Sequence, residues 1–278
     1  MISLGVRAHD FGKQPAAALA RTIASHGLQG IQLALARAIE GINSDTGAQS
    51  PGLAHHLRST FAAEGLRIMV LGCYVNIVHP DLKERSALLA RFREHLRFAR
   101  DYGCSVVATE TASLNADWSA HPDNGSEAAF TEACRSVAGL VEEAEKFGVF
   151  VTIEGVAHHV MSTPRHLRRM LDVIQSNNLQ ILLDPVNLLT LANHKGQDDL
   201  MRECFDLLGD RIITLHAKDF VVDEKGFRSV PAGQGQLNYA LLADLVRQRK
   251  SYLDVLLEET TPTTIDASIR HMRTHFGC

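Results

Sequence analysis

The chain is marked first by what it lacks. No apolar run in its 278 residues approaches the length of a membrane span. The opening Ile2-Ser3-Leu4-Gly5-Val6 follows no basic region or cleavage site, so the expected address is the cytoplasm, with no membrane partner. Basic residues are not in excess: 28 Lys and Arg stand against 32 Asp and Glu, a net charge of -4. That balance argues against electrostatically driven binding of nucleic acid. Cysteine is sparse and scattered, with Cys73, Cys104, Cys134, Cys204 and Cys278 odd in number and never spaced Cys-x-x-Cys. Buried reduced thiols explain them better than a disulfide framework or a thiolate zinc site. There is no low-complexity tract, no linker, and one tryptophan, Trp118, on a long loop. What remains is 45% hydrophobic, enough for a sizeable core.

The chain alternates strand and helix from end to end. Strands are expected over 2–7, 28–33, 66–72, 105–109, 149–154, 180–184, 212–216 and 253–258, with helices over 15–26, 52–64, 82–102, 127–147, 164–176, 197–208, 239–250 and 265–275. Ser126 and Thr163-Pro164 signal helix starts, and Gly27, Gly65, Gly103 and Gly148 signal helix ends. One α/β domain over residues 1–278, a single (β/α)8 TIM barrel, is the most economical reading. An open doubly wound sheet is second, but the first strand lacks a Gly-x-Gly-x-x-Gly turn. The loops after strands are long and the helix-to-strand turns short, as in a barrel whose C-terminal face is functional.

Four apolar strands stop on a residue able to hold a divalent metal: Glu154, Asp184, His216 and Glu258. On parallel neighbouring strands these residues open onto one end of the sheet. Singly, each carboxylate could cap a helix or pair with a lysine. Three packed together repel without a cation. One nitrogen and three oxygen donors suit an octahedral ion, Mn2+ first, with Mg2+ or Co2+ as alternatives. Glu154 and Glu258, on the fifth and eighth strands, are expected nearly opposite each other, one as base and one as acid. Proton removal beside a metal-bound carbonyl gives an ene-diolate. Its reprotonation yields an epimer or moves the carbonyl.

These residues resemble the xylose-isomerase-like barrel superfamily, in the branch of sugar isomerases and epimerases that includes tagatose and psicose 3-epimerases. The similarity spans essentially the whole chain. It is carried by Ile153-Glu154, Asp184-Pro185-Val186-Asn187, His216-Ala217-Lys218-Asp219 and Leu257-Glu258, with weaker echoes in Asn76-x-x-His79-Pro80, Thr109-Glu110-Thr111 and Pro231-Ala232-Gly233-Gln234-Gly235. It implies one Mn2+-type ion on Glu154, Asp184, His216 and Glu258, the glutamates exchanging protons with a small carbohydrate, in a homodimer or homotetramer. The chain departs from the pattern at three positions: Asn187 replaces a substrate-touching histidine, Thr214 the first of two alternating histidines, and Val222 an arginine for which Arg228 is the nearest substitute.

Lys218 is read either as a substrate or charge-balancing contact or as half of a local pair with Asp219. Glu110, His79 and His159 are further substrate-side candidates, with Asn187 and Arg228. Gly233-Gln234-Gly235 reads as a plain turn. The leading function is a metal-dependent sugar isomerase or epimerase. The alternative is a dehydratase or lyase on a keto-sugar or inosose-type substrate at the same site, expelling a β-substituent from the same carbanion. An endonuclease IV-type repair enzyme needs more histidines than this chain offers, and a non-catalytic barrel has no reason to keep repelling carboxylates.

Overall fold

The computed structural model describes residues 1–277, so the expectation for Cys278 lies outside the described residues. Eight parallel strands close a barrel: β1 (Ile2–Arg7), β2 (Gly30–Leu33), β3 (Arg67–Gly72), β4 (Val106–Glu110), β5 (Phe150–Glu154), β6 (Leu179–Leu183), β7 (Ile212–Ala217) and, last in the chain, β10 (Leu253–Leu257). The ring runs β1-β10-β7-β6-β5-β4-β3-β2. Between β7 and β10 the chain inserts an antiparallel hairpin, β8 (Asp219–Asp223) and β9 (Gly226–Val230), where the sequence suggested only loop.

The helices outside the barrel are α1 (Ala16–Ala24), α2 (Leu35–Ala38), α3 (Pro51–Ala62), α4 (Leu82–Phe98), α5 (Glu127–Phe147), α6 (Pro164–Ile174), α7 (Gln197–Leu208), α8 (Tyr239–Arg249) and α9 (Ile265–Phe276). Only the single turn α2 lacks an expected counterpart. Ser126 accepts from the Ala129 amide and Thr163 from the His166 amide, each satisfying a free donor at a helix start. Gly27, Gly65, Gly103 and Gly148 all have positive φ, the left-handed exit that glycine adopts without strain.

Side chains alternate across each strand, so counting back by twos from a mouth residue stays inside the barrel. From Glu110, Asp184 and Glu258 this count reaches Ala108, Leu182 and Leu256, which with Met69 and Val70 form a separate apolar cluster. The plug is tight. A Cβ at Gly30 would lie 2.6 Å from Met69 Cε and 2.6 Å from the Arg67 carbonyl oxygen. The remaining core packs the outer strand faces against the helices, with Phe61, Phe92 and Phe205 fully buried. Cys73, Cys104, Cys134 and Cys204 are buried free thiols. Among the described residues, no helix is long and apolar enough to cross a membrane.

Candidate metal centre

The plug forms the floor on which the polar cluster rests. One ligand atom from each of Glu154, Asp184, His216 and Glu258 lies within 4.8 Å of the others. All four residues are at least 97% buried, at 3%, 1%, 1% and 2% exposure. Glu154 ends β5, His216 is one residue from the end of β7, and Asp184 and Glu258 directly follow β6 and β10. Two strands separate β5 from β10 along one arc of the ring, so the glutamates are less than diametrically opposed.

His216 fixes the geometry. Its Nε2 lies 2.7 Å from Gln32 Oε1, while Gln32 Nε2 donates to the Tyr74 hydroxyl at 2.6 Å. With the amide so oriented, His216 Nε2 must donate and Nδ1 points into the cluster. There Nδ1 meets Glu258 Oε1 at 2.9 Å and Glu154 Oε1 at 3.3 Å. A bare nitrogen facing two carboxylate oxygens needs a positive charge between or upon them. Burial opposes an imidazolium, yet Glu258 and Glu154 outweigh it and push His216 from 6.5 up to about 10. A divalent ion offers the other solution: at metal–ligand distances of about 2.1 Å, neighbouring octahedral donors sit about 3.0 Å apart. The donor set fits the ion.

Asp184 is divided between two tasks. Its Oδ1 accepts from the amides of Val186 and Asn187 at 2.8 and 3.1 Å, fixing the turn after β6. Its Oδ2 has no hydrogen-bond donor, although Lys218 Nζ approaches to 2.9 Å off the required direction. Lys218 also donates to Glu258 Oε2 at 2.8 Å and is itself buried. The local Lys218–Asp219 pair therefore does not form. Asp219 instead accepts from the amides of Phe220, Gly233 and Leu237. The glycine turn around Gly233-Gln234-Gly235 is thus tied to the segment that follows β7.

Two contributors escaped the sequence reading. Arg7, the last residue of β1, lies 3.1 Å from Glu258 Oε1 and 3.0 Å from Asp10 Oδ1. Gln32 is the polar residue of an otherwise apolar strand. Both signals were present, a charged strand end and a polar interior position. Burial pushes Glu258 up, but His216, Lys218 and Arg7 hold it well below the usual carboxylate range.

The other side of the centre differs. Glu110 and Glu154 are register partners on β4 and β5. Burial, then Glu154 and Glu258, raise Glu110 from 4.5 to about 8. Asn187 Nδ2 donates to Glu154 Oε1 at 2.7 Å. His159 is buried, not solvent-facing; its Nδ1 is 3.6 Å from Glu110 Oε2 and lacks a hydrogen-bond partner. Burial lowers it to about 3, and its ring lies 5.6 Å from that of Trp118. Ala112, Trp118 and Glu259 all have positive φ on loops at this end. Non-glycine residues are strained there, and such strain clusters at functional sites.

Two candidates lie apart from the cluster. The His79 ring accepts from the Asp81 amide and its carbonyl from Arg85, so it shapes the turn into α4. Arg228 pairs with Asp223 across the hairpin at 3.0 Å and is half exposed. A cavity of about 990 Å³ beside α7 is lined by none of the four cluster residues.

Residues 20–275 match the family described as xylose isomerase-like TIM barrel. The chain belongs to this family. Three solved xylose isomerase-like or related barrels illustrate the likeness. A D-psicose 3-epimerase studied in the presence of D-fructose is 14% identical, with a TM-score of 0.74 over 99% of this chain and 100% of that one. A xylose isomerase-like TIM barrel protein from Mycobacterium smegmatis in complex with magnesium is 16% identical, with a TM-score of 0.73 over 99% and 96%. A probable 3-DHS dehydratase from Bacillus anthracis is 15% identical, with a TM-score of 0.72 over 97% and 98%. At such identities the likeness establishes the fold. No curated protein matches the chain.

Proposed function

We propose that this xylose isomerase-like barrel is a metal-dependent sugar isomerase or epimerase acting on a small keto-sugar. The observation that carries the reading is the inward Nδ1 of His216, locked by Gln32 and surrounded by Glu154, Asp184 and Glu258. A divalent ion held there, Mn2+ ahead of Mg2+ or Co2+, would polarise a sugar carbonyl. Glu154 has an amide and an imidazole as neighbours, without a lysine or arginine salt bridge among the described residues, and takes the proton from the adjacent carbon. Glu258, held by Lys218 and Arg7, stays anionic and fixes the opposite side. Glu110, pushed up to about 8 by burial and by Glu154 and Glu258, lies beside Glu154 on the neighbouring strand. Asn187 orients Glu154 and, unlike histidine, adds no proton of its own. This division narrows the expectation that both glutamates exchange protons: return of the proton by Glu154 to the neighbouring carbon moves the carbonyl, whereas inversion of the carbon needs a proton from the Glu258 side.

Elimination is the second reading, favoured by likeness to the probable dehydratase from Bacillus anthracis. It uses the same base and differs in what leaves. The test incubates Mn2+-loaded protein with ketopentoses and ketohexoses in D2O. A stereoisomer or shifted carbonyl with deuterium at one carbon is expected, with exchange falling about 10²–10⁴-fold in E154Q. A conjugated carbonyl absorbance without an epimer would establish elimination. Absence of exchange at every carbon and of that absorbance overturns both.

A further inference from the structure

A second polar cavity opens at the same end of the barrel, between the segments that follow β2 and β3. It has a volume of about 240 Å³, and its walls include Arg37, Ser44, Tyr74, Arg91 and His95. The Arg37 guanidinium lies over the Tyr74 ring, 4.5 Å from its centre. Arg91, half-buried on α4, donates to the Tyr74 carbonyl at 3.1 Å and rests against the Cys73 thiol. Among the described residues, neither guanidinium has a carboxylate within salt-bridge distance. A guanidinium carries five N–H donors, so Arg91 retains several for another acceptor. The neighbouring Glu94 carboxylate is occupied by the amides of Gly47 and Gln49. His95 is buried, lowered to about 4 chiefly by burial, and so adds no positive charge to the arginine pair.

Tyr74 links this cavity to the metal centre through hydrogen bonds. Its ring forms part of the wall and its hydroxyl accepts from Gln32, the residue that holds His216. Two arginines facing one small cavity form a fork suited to an oxyanion. We infer that this cavity receives the anionic group, a phosphate or a carboxylate, of the sugar whose carbonyl end lies at Glu154, Asp184, His216 and Glu258. The inference rests on the proposed function for the identity of the ligand as a sugar, and on the arginine pair for its charge. It assigns the substrate class as an acidic sugar derivative.

The test is calorimetric binding to the full Mn2+-loaded chain. D-fructose, D-fructose 6-phosphate and a hexulosonate form a neutral, phosphate and carboxylate series, with inorganic phosphate as a fourth ligand. At least one anionic ketose is expected to bind tenfold or more tightly than D-fructose, and the tighter arm identifies the oxyanion. R37A and R91K should each shrink that preference at least fivefold. Arg37 is exposed, so R37A decides the matter if R91K fails to fold. The preference should persist in E154Q, which separates it from catalysis. A preference without turnover in the unmodified protein would support the cavity and count against the proposed reaction. Equal binding of neutral and anionic ketoses, a preference untouched by both substitutions, or binding of inorganic phosphate with no gain for the phosphorylated ketose would each overturn the inference.

Discussion

Glu258 and Glu154 are both buried glutamates facing the same imidazole nitrogen, yet they occupy opposite electrostatic settings. Around Glu258 the barrel assembles Arg7, Lys218 and His216. Around Glu154 it places Asn187, the same histidine, and a second carboxylic acid, Glu110. The first side clamps a charge and the second leaves one available to move. Residue type alone makes the glutamates equivalent; their neighbours divide the work between them.

The comparison is tested most severely at Lys218. K218M removes the ammonium shared by Asp184 and Glu258. Breaking a buried pair costs about 3–5 kcal/mol. A fall of that order is expected in the unfolding free energy of chelated protein, and a much smaller one with Mn2+ present. The variant should bind Mn2+ at least as tightly as the parent, since the ion replaces the lost charge. Weaker binding would make Lys218 a support for the site instead of a competitor.

The Glu154 side is probed by N187A, which removes a hydrogen bond to a charged group worth about 1.5–3 kcal/mol. The loss should appear in kcat with little change in metal affinity. Equal losses in kcat and Mn2+ binding would return Asn187 to a purely structural role.

Glu110 gives the comparison a pH signature. Its folded value, about 8, exceeds its ordinary 4.5, so the folded state holds the proton more strongly. Its stabilising contribution is therefore full below pH 4.5 and is lost as pH rises through about 8. In chelated protein, E110Q should flatten this part of the stability curve, measured by urea unfolding at stepped pH. An unchanged slope would place the titration elsewhere. The smallest effect belongs to R228A: an exposed pair contributes about 0–1 kcal/mol, and activity should change less than about twofold.

Much of this arrangement was legible before folding. Glycine at helix ends, apolar runs at strands and a metal-competent residue after four of them gave the barrel and its polar centre. The hairpin was harder to see. Phe220-Val221-Val222 and Phe227-Arg228-Ser229 are short, and only after pairing across Gly226 does Phe220 stack on Phe227, ring centres 5.1 Å apart. Arg7 was visible as a strand end, but its role depends on β1 closing against β10, a contact between the two ends of the chain. Gln32 matters because Tyr74 fixes the direction of its amide, a relation between β2 and the segment after β3 that spacing does not encode. The positive φ of Trp118 likewise belongs to the folded loop.

Asp219 gives the hairpin an unusual independence. Its carboxylate accepts from Phe220 as the hairpin begins and from Gly233 and Leu237 after it ends. Both ends of the excursion are therefore fastened at one point, and the residues between them can change length or composition while the barrel stays closed. Descendants of this chain, natural or engineered, can exchange that segment as a cassette and acquire a different rim above an unaltered floor.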